Sequence, residues 1–198
     1  MINFKNISCS IGGVSLFEDT SACVPTGHKV GIVGRNGVGK TTLFNLILNE
    51  ISLDGGVIEV PKNYRLGTVA QEAPSNDKTL INTVLAADIE REKLLNDSEI
   101  ETDPNKIANI HIRLADIDAY SADARASSIL TGLGFSQNDQ NSPCSSFSGG
   151  WRMRVALASV LFSNPDLLLL DEPTNYLDFE GTAWLENYLQ KFKNTVLV

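Results

Sequence analysis

The chain has 198 residues, a length that fits one mid-sized domain with a small subdomain attached. Its 42% hydrophobic content can bury a core, while a formal net charge of −8 gives no basic footprint for nucleic acid. Cys9, Cys23 and Cys144 lack metal-type spacing, no basic segment followed by an apolar run opens the chain, and Ser163 to Asp166 break its longest apolar stretch. A disulfide frame, a secretory leader and a membrane span are therefore disfavoured, and a cytoplasmic location is expected.

In chain order, residues 2–9 and 20–24 read as short strands separated by a turn at Gly12 and Gly13. HKVGIVG, residues 28–34, is a β-branched run typical of a buried strand. TTLFNLIL then reads as a helix with Leu43, Leu46 and Ile47 on one face. A second strand pair, near 57–60 and 65–70, lies around Pro61. Residues 79–96 and 104–130 are helical by pattern; Ile107, Ile110, Leu114 and Ile117 make one apolar stripe, and the polar stretch between lets the helices fold back as a hairpin. SGGWRMRVALASVLF reads as a helix opened by Ser148, DLLLLD as a buried strand, EGTAWLENYLQKF as a helix and NTVLV as a last strand. This alternation predicts a mainly parallel sheet with helices on both faces.

Gly34-Arg35-Asn36-Gly37-Val38-Gly39-Lys40-Thr41 matches GxxxxGK[ST], and Thr42 follows in the opening helix. Glycines let several backbone N–H groups turn inward onto phosphate oxygens, and the helix that follows adds its positive end. Lys40 is placed to reach the β- and γ-phosphates of ATP, and the Thr41 hydroxyl to ligate Mg²⁺. A plain glycine turn is the bland alternative; a strand before and a helix after favour the phosphate loop. Leu167 to Leu170 lead into Asp171 and Glu172, at the carboxyl end of a buried strand where such sheets place their ligand groups. Asp171 is expected to hold the Mg²⁺ shell and Glu172 to activate the attacking water as general base.

Ser148-Gly149-Gly150-Trp151 upstream of DLLLLDEPTNYLD resembles the signature of ABC ATPases, and the pattern runs over nearly the whole chain. Trp151, RMRVALA and NYLD after DEPT look like the ABC-F branch. The resemblance implies an α/β P-loop NTPase fold of the ABC nucleotide-binding type, with an antiparallel β portion and a helical subdomain. The ATPase core would occupy 1–71 and 164–198, and the helical subdomain 72–163, with a short arm-like hairpin at 79–130 and the signature helix. It implies that Ser148, Gly149 and Gly150 contact the γ-phosphate of an ATP held by a second nucleotide-binding domain. An ordinary helix N-cap at Ser148 is compatible with that role. Gln71 matches a Mg²⁺ and water contact, and Asp178 a loop that reaches across a dimer interface, although Asp178 could equally cap the helix after it. Ile11 stands where the family has an adenine-stacking aromatic and would give only an apolar contact, with Phe17 less well placed.

The family's switch histidine would follow NTVLV, and neither His28 nor His111 can replace it. The chain thus reads as the first half of a longer protein whose second nucleotide-binding domain completes the ATP sites, and alone it should hydrolyse ATP poorly. The branch implies soluble proteins that act on ribosomes in translation. Residues 72–118 hold eleven Asp/Glu against five Lys/Arg, so this arm is not expected to grip rRNA itself; ribosome contact would come from elements after Val198. An ATPase subunit of a membrane transporter and a chromosome-maintenance or repair ATPase are the rival readings. The residues after the glycines speak against the first, and the short hairpin against the second.

Overall fold

The computed structural model describes residues 1–69 and 74–198. Its first strand, β1 (Ile2–Ile11), buries Ile2 and Phe4, then Ile7 and Cys9. The inward positions change from even to odd because the pairing register shifts between Phe4 and Ile7, where Asn6 has a φ of 48°. One extra residue in the strand moves every later side chain to the other face, so the bulge keeps the apolar set inside. β1 pairs antiparallel with β2 (Val14–Val24) and with β4 (Gly55–Glu59), in the order β2-β1-β4. Both strands run up to the Gly12–Gly13 turn rather than stopping short of it, since positive φ at both glycines suits a two-residue hairpin loop.

A second sheet has the order β3-β7-β6-β5 and is parallel throughout, from β3 (Lys29–Val30), β5 (Leu66–Thr68), β6 (Leu167–Leu169) and β7 (Thr195–Leu197). The strands near Pro61 therefore do not pair with each other: β4 joins the antiparallel sheet and β5 the parallel one. The expected buried strand over 28–34 is also corrected. Only Lys29 and Val30 belong to it, at the sheet edge beside β7 among the described strands, and Val33 is 97% exposed because it already lies in the loop that follows. β6 sits between β7 and β5, and Leu167 to Leu170 are fully buried, as a strand covered on both faces requires.

The chain divides into two compact units. The first contains both sheets, being Met1–Val69, Asn164–Asn175 and Glu186–Val198. Its core joins Ile2, Phe4, Ile7 and Val24 to Phe44 and Ile47 of α1 (Lys40–Ile47) and to Leu167, Leu169 and Leu197. The second takes in the described part of Ala70–Ser163 with Tyr176–Leu185, and is helical. It holds α2 (Leu80–Leu85), α3 (Ile89–Ile100), α4 (Pro104–Asp116), α5 (Ala122–Gly132), α6 (Gln137–Gln140), α7 (Gly149–Phe162) and the first half of α8 (Phe179–Lys191).

The two long helices expected at 79–96 and 104–130 are each broken. Asp88 accepts a hydrogen bond from the Arg91 amide and so starts α3 afresh after α2. Asp118, at φ 54°, ends α4 and leads through a 3₁₀ turn into α5. α3 and α4 form a hairpin closed by Arg113 Nε on Glu90 Oε1 at 2.7 Å. Of the expected apolar stripe only Leu114 is fully buried; Ile107, Ile110 and Ile117 are half-buried, and α3 buries no residue at all.

Gly132, in the last turn of α5, shows how closely the second unit is packed. A Cβ built there would overlap the indole of Trp184 on α8. Gly132→Ala is therefore expected to destabilise the protein by about 1–3 kcal/mol, the usual cost of overfilling a packed site. Urea unfolding midpoints measure this, and a midpoint equal to that of the parent would contradict it.

Candidate active site

Beyond Val30 the chain bonds the end of β7 once more, Ile32 N–H to the Val198 carbonyl at 2.6 Å, and then curls through residues 33–39 before α1 begins. Gly37 at φ 81° and Gly39 at φ 105° take left-handed backbone that a larger residue would strain. Gly39 caps α1 without any side-chain hydrogen bond, and the first turn of the helix contains no acidic residue. The first amides of α1 and their partial positive charge therefore remain available to an anion. Lys40 Nζ lies across the loop, donating to the carbonyls of Gly34 at 3.0 Å and Arg35 at 3.3 Å. A cleft of about 160 Å³ opens here, lined by Asn36, Gly37, Gly39, Lys40, Thr41, Thr42 and Glu172.

Because β3 and β6 run parallel in one sheet, their carboxyl ends deliver the loop and Asp171 to the same edge. The Thr41 hydroxyl donates to Asp171 Oδ2 at 2.5 Å. Glu172 follows in left-handed backbone, φ 45°, where every other positive-φ residue apart from glycine among those described is Asn or Asp. Glutamate has no local reason to adopt that conformation, which costs of the order of 1–3 kcal/mol and concentrates at functional positions. Asn175, unmarked in the sequence reading, donates its amide to Glu172 Oε2 at 2.9 Å and its backbone N–H to the Glu172 carbonyl. Its sequence signals are the three-residue spacing inside the DEPTN turn and its place at the head of NYLD.

In the second unit, Ser148 is the N-cap residue of α7, yet its side chain makes no capping hydrogen bond. Ser148, Gly149 and Gly150 are all exposed, and a Cβ on either glycine would meet nothing within 4 Å. Glycine at such positions costs a helix up to about 1 kcal/mol against alanine, and neither internal packing nor backbone conformation demands it here. Asp178 is the residue that does cap: its Oδ1 accepts from the Gly181 amide at 2.8 Å at the start of α8, and its Oδ2 from Arg154 Nη1 at 3.0 Å. The Gly181 N–H first, and Arg154 second, hold this carboxyl below the usual carboxylate range. Its folded-state pKa being depressed, its stabilising contribution is complete above an unfolded value of about 3.9 and is lost as pH falls below it. Ile11 ends β1 beside the hairpin turn, half exposed, whereas Phe17 packs against the core of the first unit. Gln71 lies outside the described residues.

Residues 17–175 match the family model described as ABC transporter. The chain belongs to this family of ATP-binding cassettes. Among curated relatives, the cassette is 44% identical over 202 residues to the probable ATP-binding protein YheS of Haemophilus influenzae, covering 100% of the cassette and 32% of the relative. It is 41% identical over 208 residues to ATP-binding cassette sub-family F member 3 of Homo sapiens, covering 100% and 28%. The cassette thus spans about a third of the length of these relatives. Among solved structures, the ATP-binding subunit of an ABC transporter superposes with a TM-score of 0.67 at 17% identity, covering 100% of the cassette and 78% of that chain. The post-hydrolysis dimer of the cassette MJ0796 bound to ADP and Pi gives 0.65 at 20% identity, covering 100% and 87%.

These likenesses establish an ABC-type ATPase fold for the cassette, and its nearer sequence resemblance is to sub-family F. No helix among the described residues is long and apolar enough to cross a membrane.

Proposed function

We propose that the cassette is one half of an ATP-driven clamp of the ABC-F type, working in the cytoplasm on the ribosome, with the second nucleotide-binding domain in the same polypeptide. The observation behind the catalytic part is the convergence of Lys40, Thr41 and Glu172 on one cleft, with Asp171 bonded to Thr41. Phosphates enter on the loop from Gly34 to Thr42, and Lys40 exchanges its bonds to the loop carbonyls for bonds to phosphate oxygens.

The donor set suits Mg²⁺. A hydroxyl backed by a carboxylate is present, and no cluster of three or more His, Cys, Asp or Glu occurs among the described residues. Such a site fits an ion that takes its remaining ligands from phosphate and water. Thr41 would hold the ion with Asp171 behind it, and the family resemblance would give Gln71 the same role; the ion would supply charge that offsets the phosphates. Glu172, oriented by Asn175, accepts a proton from the water that attacks the γ-phosphorus as the bond to ADP breaks. Ile11 offers adenine an apolar contact without stacking, so base selectivity is low.

Ser148, Gly149 and Gly150 form the other lip and serve the ATP bound by the partner cassette, while the exposed stretch around Asp178 meets that partner. Two glycines with no structural need for being glycine support this reading, because a side chain there would stand between the helix amides and an incoming phosphate. Closure on ATP is the working stroke and hydrolysis the reset. Ribosome contact is made through regions outside this cassette, and residues 79–118 stay off the RNA.

The test is a Gly149→Ala/Gly150→Ala variant of the two-cassette protein. Its melting temperature is expected to equal or exceed the parent's, since alanine gains up to about 1 kcal/mol per helical site. Turnover should fall by about tenfold or more, as when one oxyanion-type donor is lost. Unchanged turnover with unchanged stability would refute the role of the signature. Coupling to a membrane transporter is the weaker reading, because likeness to solved transporter structures is one of fold, at 17–22% identity, whereas sub-family F reaches 41%.

A further inference from the structure

Arg154 lies in α7, six residues after Ser148, and is 9% exposed. Its guanidinium makes three hydrogen bonds to two other segments of the second unit. Nε donates to the Tyr176 carbonyl at 2.7 Å, and Nη1 donates to the Leu133 carbonyl and to Asp178 Oδ2, both at 3.0 Å. The same group lies over the Trp151 ring, 4.4 Å from its centre, and Trp151 packs edge-on against Phe135, which packs against Phe147. Gly134, at φ 96°, lets the turn after α5 close over this cluster; a Cβ there would come within 3.0 Å of Nη1. One cation therefore ties the signature helix to the 133–135 turn and to the strip that precedes α8.

Stability alone is a poor explanation. The Arg154 side chain is 10% exposed but that of its carboxylate partner is 57% exposed, so solvent screens the attraction while the guanidinium has lost its water. An apolar side chain of similar length would fill the same space but would leave the Leu133 and Tyr176 carbonyls without this donor. What a planar fork adds is direction. The two stretches that it orients are exposed: Ser148–Gly150 at the start of α7, and Tyr176 with Asp178. Asp178 has both oxygens engaged inside the unit, on Gly181 and Arg154, while its side chain stays 57% exposed, so it links the arrangement of this strip to the exposed surface.

We infer that Arg154 is a positioning residue that locks the strip Tyr176–Asp178 to the signature helix, so that both meet the partner cassette and its ATP as one rigid surface. This rests on the role given above to Ser148–Gly150. Tilting of the strip then moves the anion-facing amides with it, and breaking the lock lets each reach the partner separately. The lock acts on catalysis at the completed site and leaves the cassette's own phosphate loop untouched.

The experiment compares Arg154→Lys, Asp178→Asn and their double variant in the two-cassette protein, with Gly149→Ala/Gly150→Ala as reference. Lysine keeps the charge and cannot reproduce the fork; asparagine keeps an oxygen for the Gly181 cap. Arg154→Lys is expected to lower kcat roughly tenfold, the size of a lost coupled pair, with KM and ATP binding within about twofold of the parent. The double variant should fall no further than Arg154→Lys alone, because both changes open the same lock. Unchanged kcat in Arg154→Lys, while the glycine variant loses turnover, overturns the inference and leaves the signature role standing. Unchanged kcat in the glycine variant overturns both. A loss of melting temperature or ATP binding sufficient to explain the fall in kcat also overturns it, by reducing Arg154 to a structural residue.

Discussion

Replacing Glu172 by glutamine is expected to lower ATP turnover by about 10²–10⁴-fold, the worth of a positioned general base, with ATP affinity retained. The change is nearly isosteric, and the side-chain oxygen that accepts from Asn175 is still available. The left-handed backbone at φ 45° is dictated by the turn after β6 and should persist, so fold and cleft stay as they are. Only the capacity to take a proton from water is removed. Single-turnover hydrolysis with radiolabelled ATP, beside equilibrium binding, separates the two effects. A variant that turns over within about tenfold of the parent would exclude Glu172 as the base, since general-base catalysis is worth more than that.

The second large effect falls on binding. Lys40→Ala is expected to weaken ATP affinity by about 10–100-fold, the equivalent of 1.5–3 kcal/mol for hydrogen bonds to a charged group. Among the described residues the Lys40 side chain bonds the carbonyls of Gly34 and Arg35 in its own loop, and it is partly exposed, so its removal should spare the fold. Isothermal titration with ATP reads the change directly. An unaltered dissociation constant would mean that the loop amides and helix end alone hold the phosphates. The two variants thus divide the cleft into a binding side and a reacting side, and opposite patterns of affinity and turnover should distinguish them.

Much of this architecture was legible in the residues before any coordinates. Phosphate-loop spacing, four leucines running into Asp-Glu, and the apolar spacing that begins at residue 104 are local signals, and the structure has α4 starting at Pro104 as expected. What was not legible depends on partners distant in sequence or on backbone conformation. Apolar alternation in β1 changes phase at Asn6, and only the pairing with β2 shows that this is a bulge. The strands around Pro61 look like a pair by proximity, yet they enter different sheets because β5 pairs with β6 nearly a hundred residues later. Helix breaks at Asp88 and Asp118 were hidden because the apolar spacing continues across them while side-chain caps and a left-handed residue stop the backbone.

At the site the division is similar. The placing of Asp171 against Thr41 follows from two parallel strands ending at one edge, which a strand-loop-helix reading anticipates. The letters do not disclose the conformation of Glu172 or the bond from Arg154 to Asp178, and for the hold of Asn175 on Glu172 they offer only a three-residue spacing. Gly149 and Gly150 gain their force only once the space around them is seen to be open.

The clamp is tested most directly by small-angle X-ray scattering of the two-cassette Glu172→Gln protein with Mg²⁺ and either ATP or ADP. ATP should draw the cassettes together and lower the radius of gyration relative to ADP, and the added Gly149→Ala/Gly150→Ala change should abolish that difference. Equal radii in ATP and ADP, with ATP shown to be bound, would contradict the clamp.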